Sequence, residues 1–309
     1  MTQSPAGSTV PGPIGVVAHY NLLERLAPSG PGELFRARDT RLGRTVAIRW
    51  LPSDFVSGSA ARESLVEQAR AMTVLSHPNV ITLFDAGEHE GRVFLAFEFL
   101  KGQSLRQEIA GRHLNVRRSV ETAVQIADAI ATAHAAGFVH GGLSSDSVSM
   151  TAKGHAKVPA FELAAHTGFA VSDGKLHDYD SPEEMQGHPP DDRSDVYSVG
   201  AILYEMLTGR RPNPKGSAAA TESNRHVPTE LDELVLRAVS PNPDLRPQSM
   251  ALLAGGLRAV VAEIDVHGAT DEVGQYAGPA RRGGSGLVWA VLVAALAAVV
   301  WWVWRGAGG

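Results

Sequence analysis

The amino-acid order divides near residue 104 into strand-like patterning before and helical patterning after, and this division constrains the fold more than any other feature. Residues 44–51 (RTVAIRWL) are rich in β-formers and follow a turn-like stretch from Asp39 to Gly43. Residues 80–86 and 92–99 flank a segment with glycine at both ends, Gly87 and Gly91, which marks a hairpin. One helical stretch, 61–75, interrupts these strands. Farther on, Val120, Val124, Ala127 and Ala131 recur at steps of four and three over 117–136, with Gly137 placed to cap the helix. Val196, Val199, Leu203, Met206 and Leu207 form a second stripe over 194–208, ended by Gly209, and further helices fit 229–239 and 247–264. Strands followed by helices make an α+β, two-lobed pattern and exclude alternating βαβ units.

The rest of the sequence bounds the chemistry. With no cysteine, the chain holds no disulfide, no thiolate metal site and no cysteine nucleophile. A formal charge of -5 argues against nucleic acid as a partner. Residues 1–18, rich in Gly, Pro, Ser and Thr, read as a flexible tail. Residues 19–264 read as the folded body, with lobes at about 19–100 and 101–264, and 265–286 as a juxtamembrane linker. Residues 287–304 (LVWAVLVAALAAVVWWVW) carry no charge, and as a helix they span about 27 Å, close to the hydrocarbon thickness of a bilayer. Trp289 near one end and Trp301, Trp302 and Trp304 at the other match an interfacial aromatic belt. A single transmembrane helix is expected there, followed by a short tail at 305–309. Arg281 and Arg282 before it, against Arg305 after it, put the N-terminal domain on the cytoplasmic side.

Nine strings then fall in a fixed order: LAPSGPGELFRARD, VAIRWL, LSHPNV, FLAFEFLKGQSL, AHAAGFVHGGLSSDSV, KVPAFELA, SPEEM, DDRSDVYSVGAILYEMLTGRRP and NPDLRP. In that order and spacing the chain resembles, over about residues 18–264, a bacterial member of the eukaryotic-type (Hanks-type) serine/threonine protein kinase family. The resemblance implies a protein-kinase-like two-lobed fold, a small β-rich N-lobe with one helix and a larger helical C-lobe, to which the charge-free run adds one C-terminal transmembrane helix.

It also implies where the chemistry sits, and there this chain departs from the family. Catalysis in active kinases is positioning and charge neutralisation around the γ-phosphate. The first two glycines of the phosphate loop fall on Ala27 and Ser29; Gly32 keeps its place, and Pro31 removes a backbone N–H. The phosphate-binding lysine falls on Arg49, which keeps the charge without the compact ammonium geometry. Its glutamate partner falls on Gln68, with Glu67 one position away. The loop H-R-D-L-K-P-E-N reads HGGLSSDS: His140 stays, the catalytic aspartate falls on Gly142, the lysine on Ser144 and the metal-binding asparagine on Ser147. The D-F-G motif falls on Ala160, Phe161 and Glu162.

Gly142 has no group to accept a hydroxyl proton, a loss on the order of 10²- to 10⁴-fold, and neither usual Mg²⁺ ligand is present. Glu162 and Asp146 are carboxylates able to recruit a metal, or else solvated loop charges. The residues that build the scaffold remain: His140, Glu183, Asp195 and Arg246, with the resemblance pairing Glu183 with Arg246 and setting Asp195 under the catalytic loop. The expected function is that of a membrane-anchored pseudokinase acting as a signalling scaffold or regulator, with no cofactor needed. Two alternatives stand beside it. One is an atypical active Ser/Thr kinase built around Arg49 and Glu162. The other binds ATP without Mg²⁺ and without catalysis, through Gly32, Ala47, Arg49, Phe97, Glu98 and Leu100. The resemblance further implies protein partners, among them forkhead-associated (FHA) phosphothreonine readers or cell-envelope proteins. Thr270, in GATDEV, is a candidate phosphosite for such a reader, or an unmodified linker threonine.

Overall fold

Two tight turns organise the first sheet of the computed structural model, which describes residues 13–26, 32–53, 58–159 and 178–276, with side chains as far as 266. Asp39 ends β3 (Glu33–Asp39) and is 1% exposed. Its carboxylate accepts the amides of Arg41 and Leu42 and the guanidinium of Arg44, which opens β4 (Arg44–Trp50). Burial acts to raise its pKa, but the hydrogen bonds outweigh burial and hold the carboxyl below its usual range. The second turn, Glu90–Gly91, joins β6 (Leu83–His89) to β7 (Arg92–Glu98). Both its residues have positive φ, 51° and 74°, as a two-residue hairpin requires. With β1 (Gly15–Val17) and β2 (Tyr20–Leu26) these strands form an antiparallel sheet ordered β1–β2–β3–β4–β7–β6.

Strand alternation splits the apolar residues between two faces. Val46, Ile48 and Trp50 pack with Tyr20, Leu22, Phe94 and Ala96 on one. On the other, Leu65, Val66 and Ala69 of α1 (Ser59–Ala71) and the following 3₁₀ turn (Met72–Val74) cover Leu83, Ala86, Val93, Leu95 and Phe97. A second sheet, ordered β5–β10–β9–β8, comprises β5 (Val80–Ile81), β8 (Gly102–Ser104), β9 (Ser149–Thr151) and β10 (Ala156–Pro159).

The remaining elements are helices: α2 (Leu105–Ile109), α3 (Val116–Ala135), α4 (Pro182–Met185), α5 (Asp192–Thr208), α6 (Ala220–Ser223), α7 (Thr229–Ala238) and α8 (Met250–Tyr276). Every residue of α5 from Ser194 to Leu207 is buried, so it is the axle of this lobe. Asp191 caps its start through a capping box with Ser194, and Gly209, at φ 76°, ends it. A Cβ on Gly200 would lie 2.7 Å from that of Ala238, so a glycine here lets α5 and α7 approach closely.

The observed boundaries differ from the sequence reading at both ends. β1 begins at Gly15, within the stretch read as a flexible tail, because Val17 pairs with Tyr20 and is buried. α8 continues to Tyr276 through residues read as linker; no proline falls before Pro279, and a lone glycine costs a helix only about 1 kcal/mol. The chain divides into compact units at 1–263 and 264–309. The charge-free run at 287–304 lies outside the described residues. Among those described, no helix is long and apolar enough to cross a membrane.

Candidate active site

Cross-strand register sets Leu34, Arg49 and Leu95 in one row and Arg36, Ala47 and Phe97 in the next. Leu34, Ala47, Leu95 and Phe97 all belong to the cluster on the face that α1 covers. Ala47 and Phe97 are 8% and 9% exposed, so the wall expected to face an adenine ring is apolar and already packed. Arg49 is half-buried and engaged. Gln68 donates its amide to Ser64 Oγ at 3.2 Å, and Glu67 is exposed. Gly32 has φ 87°, and a Cβ there would sit 1.9 Å from the carbonyl oxygen of Trp50. Packing of β3 on β4 therefore requires glycine at this position, independently of any phosphate. Ala27 and Ser29 lie outside the described residues.

Glu98 ends β7 at the hinge. Its amide donates to Thr82 O at 2.9 Å, and its carboxylate accepts Lys157 Nζ at 2.9 and 3.1 Å. Lys157, on β10, also donates to Val80 O at 3.3 Å. The Glu98 side chain thus staples the first sheet to the second. Phe99 packs on the N-terminal core, and Leu100 is half-buried.

Asp195 lies in the first turn of α5 with no exposed surface. Its carboxylate accepts the backbone amides of His140 at 2.8 Å and Gly141 at 2.9 Å, and faces His134 Nε2 of α3 at 2.7 Å. These bonds pin the catalytic loop through its main chain. Gly141 takes φ 61°, a conformation glycine adopts readily. The His140 ring has no hydrogen-bond partner and lines a narrow crevice with Leu75, Ala133, Phe138 and Val158, a packed core histidine as expected.

The functional end of the loop is closed on itself. Ser144 N donates to Ser147 Oγ at 3.1 Å, Ser147 N donates to Ser144 Oγ at 3.2 Å, and Ser147 Oγ donates to Ser144 O at 2.9 Å. Gly142 presents no side chain at all. A hard divalent cation takes carboxylate, carbonyl and water oxygens. Two hydroxyls already used by the loop backbone are a poor substitute, and among the described residues no three His, Cys, Asp or Glu side chains cluster to hold a metal. The residues at 142, 144 and 147 do not fit the Mg²⁺-bound nucleotide that the resemblance implies. Ala160 and Glu162 lie outside the described residues.

Below the loop runs a buried polar network that the sequence reading missed. Ser145 Oγ meets Tyr179 Oη at 2.6 Å, Tyr179 Oη donates to Glu205 Oε2 at 2.5 Å, and Arg106 pairs with Glu205 Oε1. Ser145, Tyr179 and Glu205 are all buried. Burial first, then the bond to Glu205, pushes the Tyr179 phenol well above its ordinary pKa. One signal was available: Glu205 is an acid within the otherwise apolar second half of α5, and a buried acid needs partners.

The expected Glu183–Arg246 pair is present and bidentate, at 2.6 and 2.8 Å, with the Arg246 side chain fully buried. Ser194 Oγ donates to Glu183 at 3.0 Å, and Arg246 also donates to the carbonyls of Arg193 and Ser240. Burial acts to raise the Glu183 pKa, but the Arg246 bonds bring it down to about 2. Thr270 falls within α8, and its side chain lies outside those described.

A β-rich lobe hinged to a helical lobe, with the loop between them pinned by a helix aspartate, defines the protein kinase class. Residues 20–254 match the family model described as the protein kinase domain, and the chain belongs to that family. It is 32% identical over 256 residues to a probable serine/threonine-protein kinase of Streptomyces coelicolor, matching 74% of this chain and 38% of that one. It is 31% identical over 269 residues to the serine/threonine-protein kinase PknA of Mycobacterium tuberculosis, matching 79% of this chain and 61% of the relative. The chain therefore spans less than two thirds of the length of either relative. Among solved structures, the kinase domain of Mycobacterium tuberculosis PknI aligns with a TM-score of 0.66 at 20% identity, over 79% of this chain and 97% of that domain. At that identity the likeness is one of fold.

Proposed function

We propose that this member of the kinase family is a membrane-anchored pseudokinase, a scaffold or regulator whose cleft transfers no phosphate. The observation that carries the reading is the closed Ser144–Ser147 pair beside Gly142: the positions for proton acceptor, lysine and metal ligand hold no group suited to those tasks. The surrounding scaffold, from Asp195 to Glu183–Arg246, is complete. A folded surface without turnover suits a protein that binds proteins, with FHA-type phosphothreonine readers and cell-envelope proteins as the proposed partners. The test is incubation of the full chain with radiolabelled ATP and Mg²⁺ or Mn²⁺, with and without a generic protein acceptor. The expected result is no incorporation above the protein-free control. Incorporation that disappears in both Arg49→Ala and Glu162→Ala variants establishes the atypical active kinase instead.

The apolar character of Ala47 and Phe97, at the positions the resemblance assigns to the adenine side of the cleft, supports a second reading, in which ATP binds without Mg²⁺ and without catalysis. Thermal melting with ATP decides it, since ligand at 100 times its Kd adds about 2.7 kcal/mol. A shift that needs no Mg²⁺ supports this reading, and no shift at millimolar ATP rejects it.

A further inference from the structure

Exposed cations from three segments lie around the last turn of α5, and among the described residues none is paired with an acid. Gly209 lets residues 111–112 approach so closely that a Cβ on it would lie 2.8 Å from the Gly111 carbonyl oxygen. Leu114 N donates to Met206 O at 2.7 Å, and Asn224 Nδ2 donates to Leu207 O at 3.0 Å. These contacts bring three separate segments to one end of one helix. Each presents exposed bases: Arg112 and His113 from the first, Arg210 from the second, Arg225 and His226 from the third. Among the described residues none of these side chains has a hydrogen-bond or ion-pair partner. The nearby Arg117 and Arg118, by contrast, pair with Glu121 and Glu108. Two acids, exposed Glu222 on α6 and buried Asp232, act with Arg210 on the Tyr204 phenol beside the patch.

A cation at a helix C-terminus is stabilised by the macrodipole, which accounts for one such arginine. Three exposed arginines on separate segments, none paired with an acid among the described residues, leave positive charge at this end that an anionic surface can balance. We propose that this patch docks on anionic lipid headgroups. The proposal rests on the membrane reading of residues 287–304. Tethering holds the domain at high effective concentration near the bilayer, so a patch of three arginines needs little affinity of its own. The chain is net negative, at -5, so the attraction is local, screened beyond about 10 Å at about 0.1 M salt. Composition favours lipid over a protein partner. Protein interfaces are anchored by buried aromatic or aliphatic side chains. Among the described residues, the exposed large hydrophobic ones are Ile14, Val16, Leu42, Val74, Leu245, Leu252 and Val266, none of them in these three segments.

The test uses the full chain reconstituted into nanodiscs of phosphatidylcholine alone or with about one third phosphatidylglycerol. Amide hydrogen exchange is read at 110–115, 207–213 and 223–227. The expected result is several-fold slower exchange in those segments in the anionic discs, lost at about 0.5 M salt. The R112Q/R210Q/R225Q variant loses the protection and R112K/R210K/R225K keeps it, both melting like the parent protein. Equal exchange in the two discs overturns the proposal and leaves the patch to an acidic protein; protection that survives in the Gln variant also overturns it. Failure of the chain to enter either disc overturns the membrane reading, and this proposal with it.

Discussion

Ser144 and Ser147 each bind the other's amide hydrogen through a side-chain oxygen, at 3.1 and 3.2 Å. The two positions from which a kinase reaches out to phosphate and metal are here turned into a local turn motif of the kind serine favours. Their hydroxyls hold the loop together and have become part of its backbone accounting.

Ser147→Ala therefore acts on the fold and not on turnover. It leaves Ser144 N without its acceptor and should lower stability by about 1 kcal/mol in a urea titration. Phosphate incorporation stays at the control level in parent and variant alike. A parent signal that the substitution abolishes would show these hydroxyls to be catalytic.

Gly32→Ala should destabilise by about 1–3 kcal/mol, through the positive φ and the collision with the Trp50 carbonyl. Melting temperature falls by the same amount with and without ATP, because the glycine serves the strand pair. A loss of ATP-dependent stabilisation larger than the loss of intrinsic stability would return Gly32 to the phosphate loop.

Tyr179→Phe removes the hydroxyl that joins Ser145 to Glu205, leaving two buried groups short of a partner. The cost should be about 1–3 kcal/mol by denaturant unfolding. A double-mutant cycle with Ser145→Ala should show the two losses to be non-additive, and strict additivity would dissolve the network into independent contacts.

Acid dissects the segment around α4. Glu183, at about 2 when folded against an ordinary 4.5, contributes stability that is complete above about 4.5 and lost as pH falls toward about 2. Glu184 shifts the other way, raised by burial first and by Asp180 and Asp195, despite its bonds to Ser181. Its ionisation opposes folding, so acidification from neutrality toward 4.5 relieves that opposition before the Glu183 contribution is lost. Melting temperature against pH should show Glu184→Gln flattening the first phase while the acid-side fall stays. Arg246→Met strands the Glu183 charge, at an expected cost of about 3–5 kcal/mol near neutral pH.

Much of this architecture was readable from residue order. The hairpin from 83 to 98 and α5 follow the residue pattern, while the Asp195 anchor and the Glu183–Arg246 pair are contacts that only the family resemblance implied. What escaped shares one physical cause, dependence on contacts between residues remote in sequence. Arg106 and Glu205 stand 99 positions apart, and as single residues an arginine after a short helix start and an acid in a helix are unremarkable. The three-residue β1 holds two β-formers, Val16 and Val17, in too short a run among glycines and prolines to read as a strand; pairing with β2 and burial of Val17 make it one. α8 passes through glycines that local rules take for a linker. Gly32 was legible as a retained glycine, but its reason, the Trp50 carbonyl, appears only across the strand pair.

Asp195 grips main-chain amides at His140 and Gly141, and such a grip is blind to which side chains the loop carries. Reactive groups can be erased from 142 to 147 without the shape recording their loss. A lineage can thus keep a surface for its partners long after turnover has lapsed, with no refolding to survive on the way. The same indifference makes the loop a socket for engineering: an aspartate, lysine and asparagine set back into it would be received by a scaffold that still holds its posture.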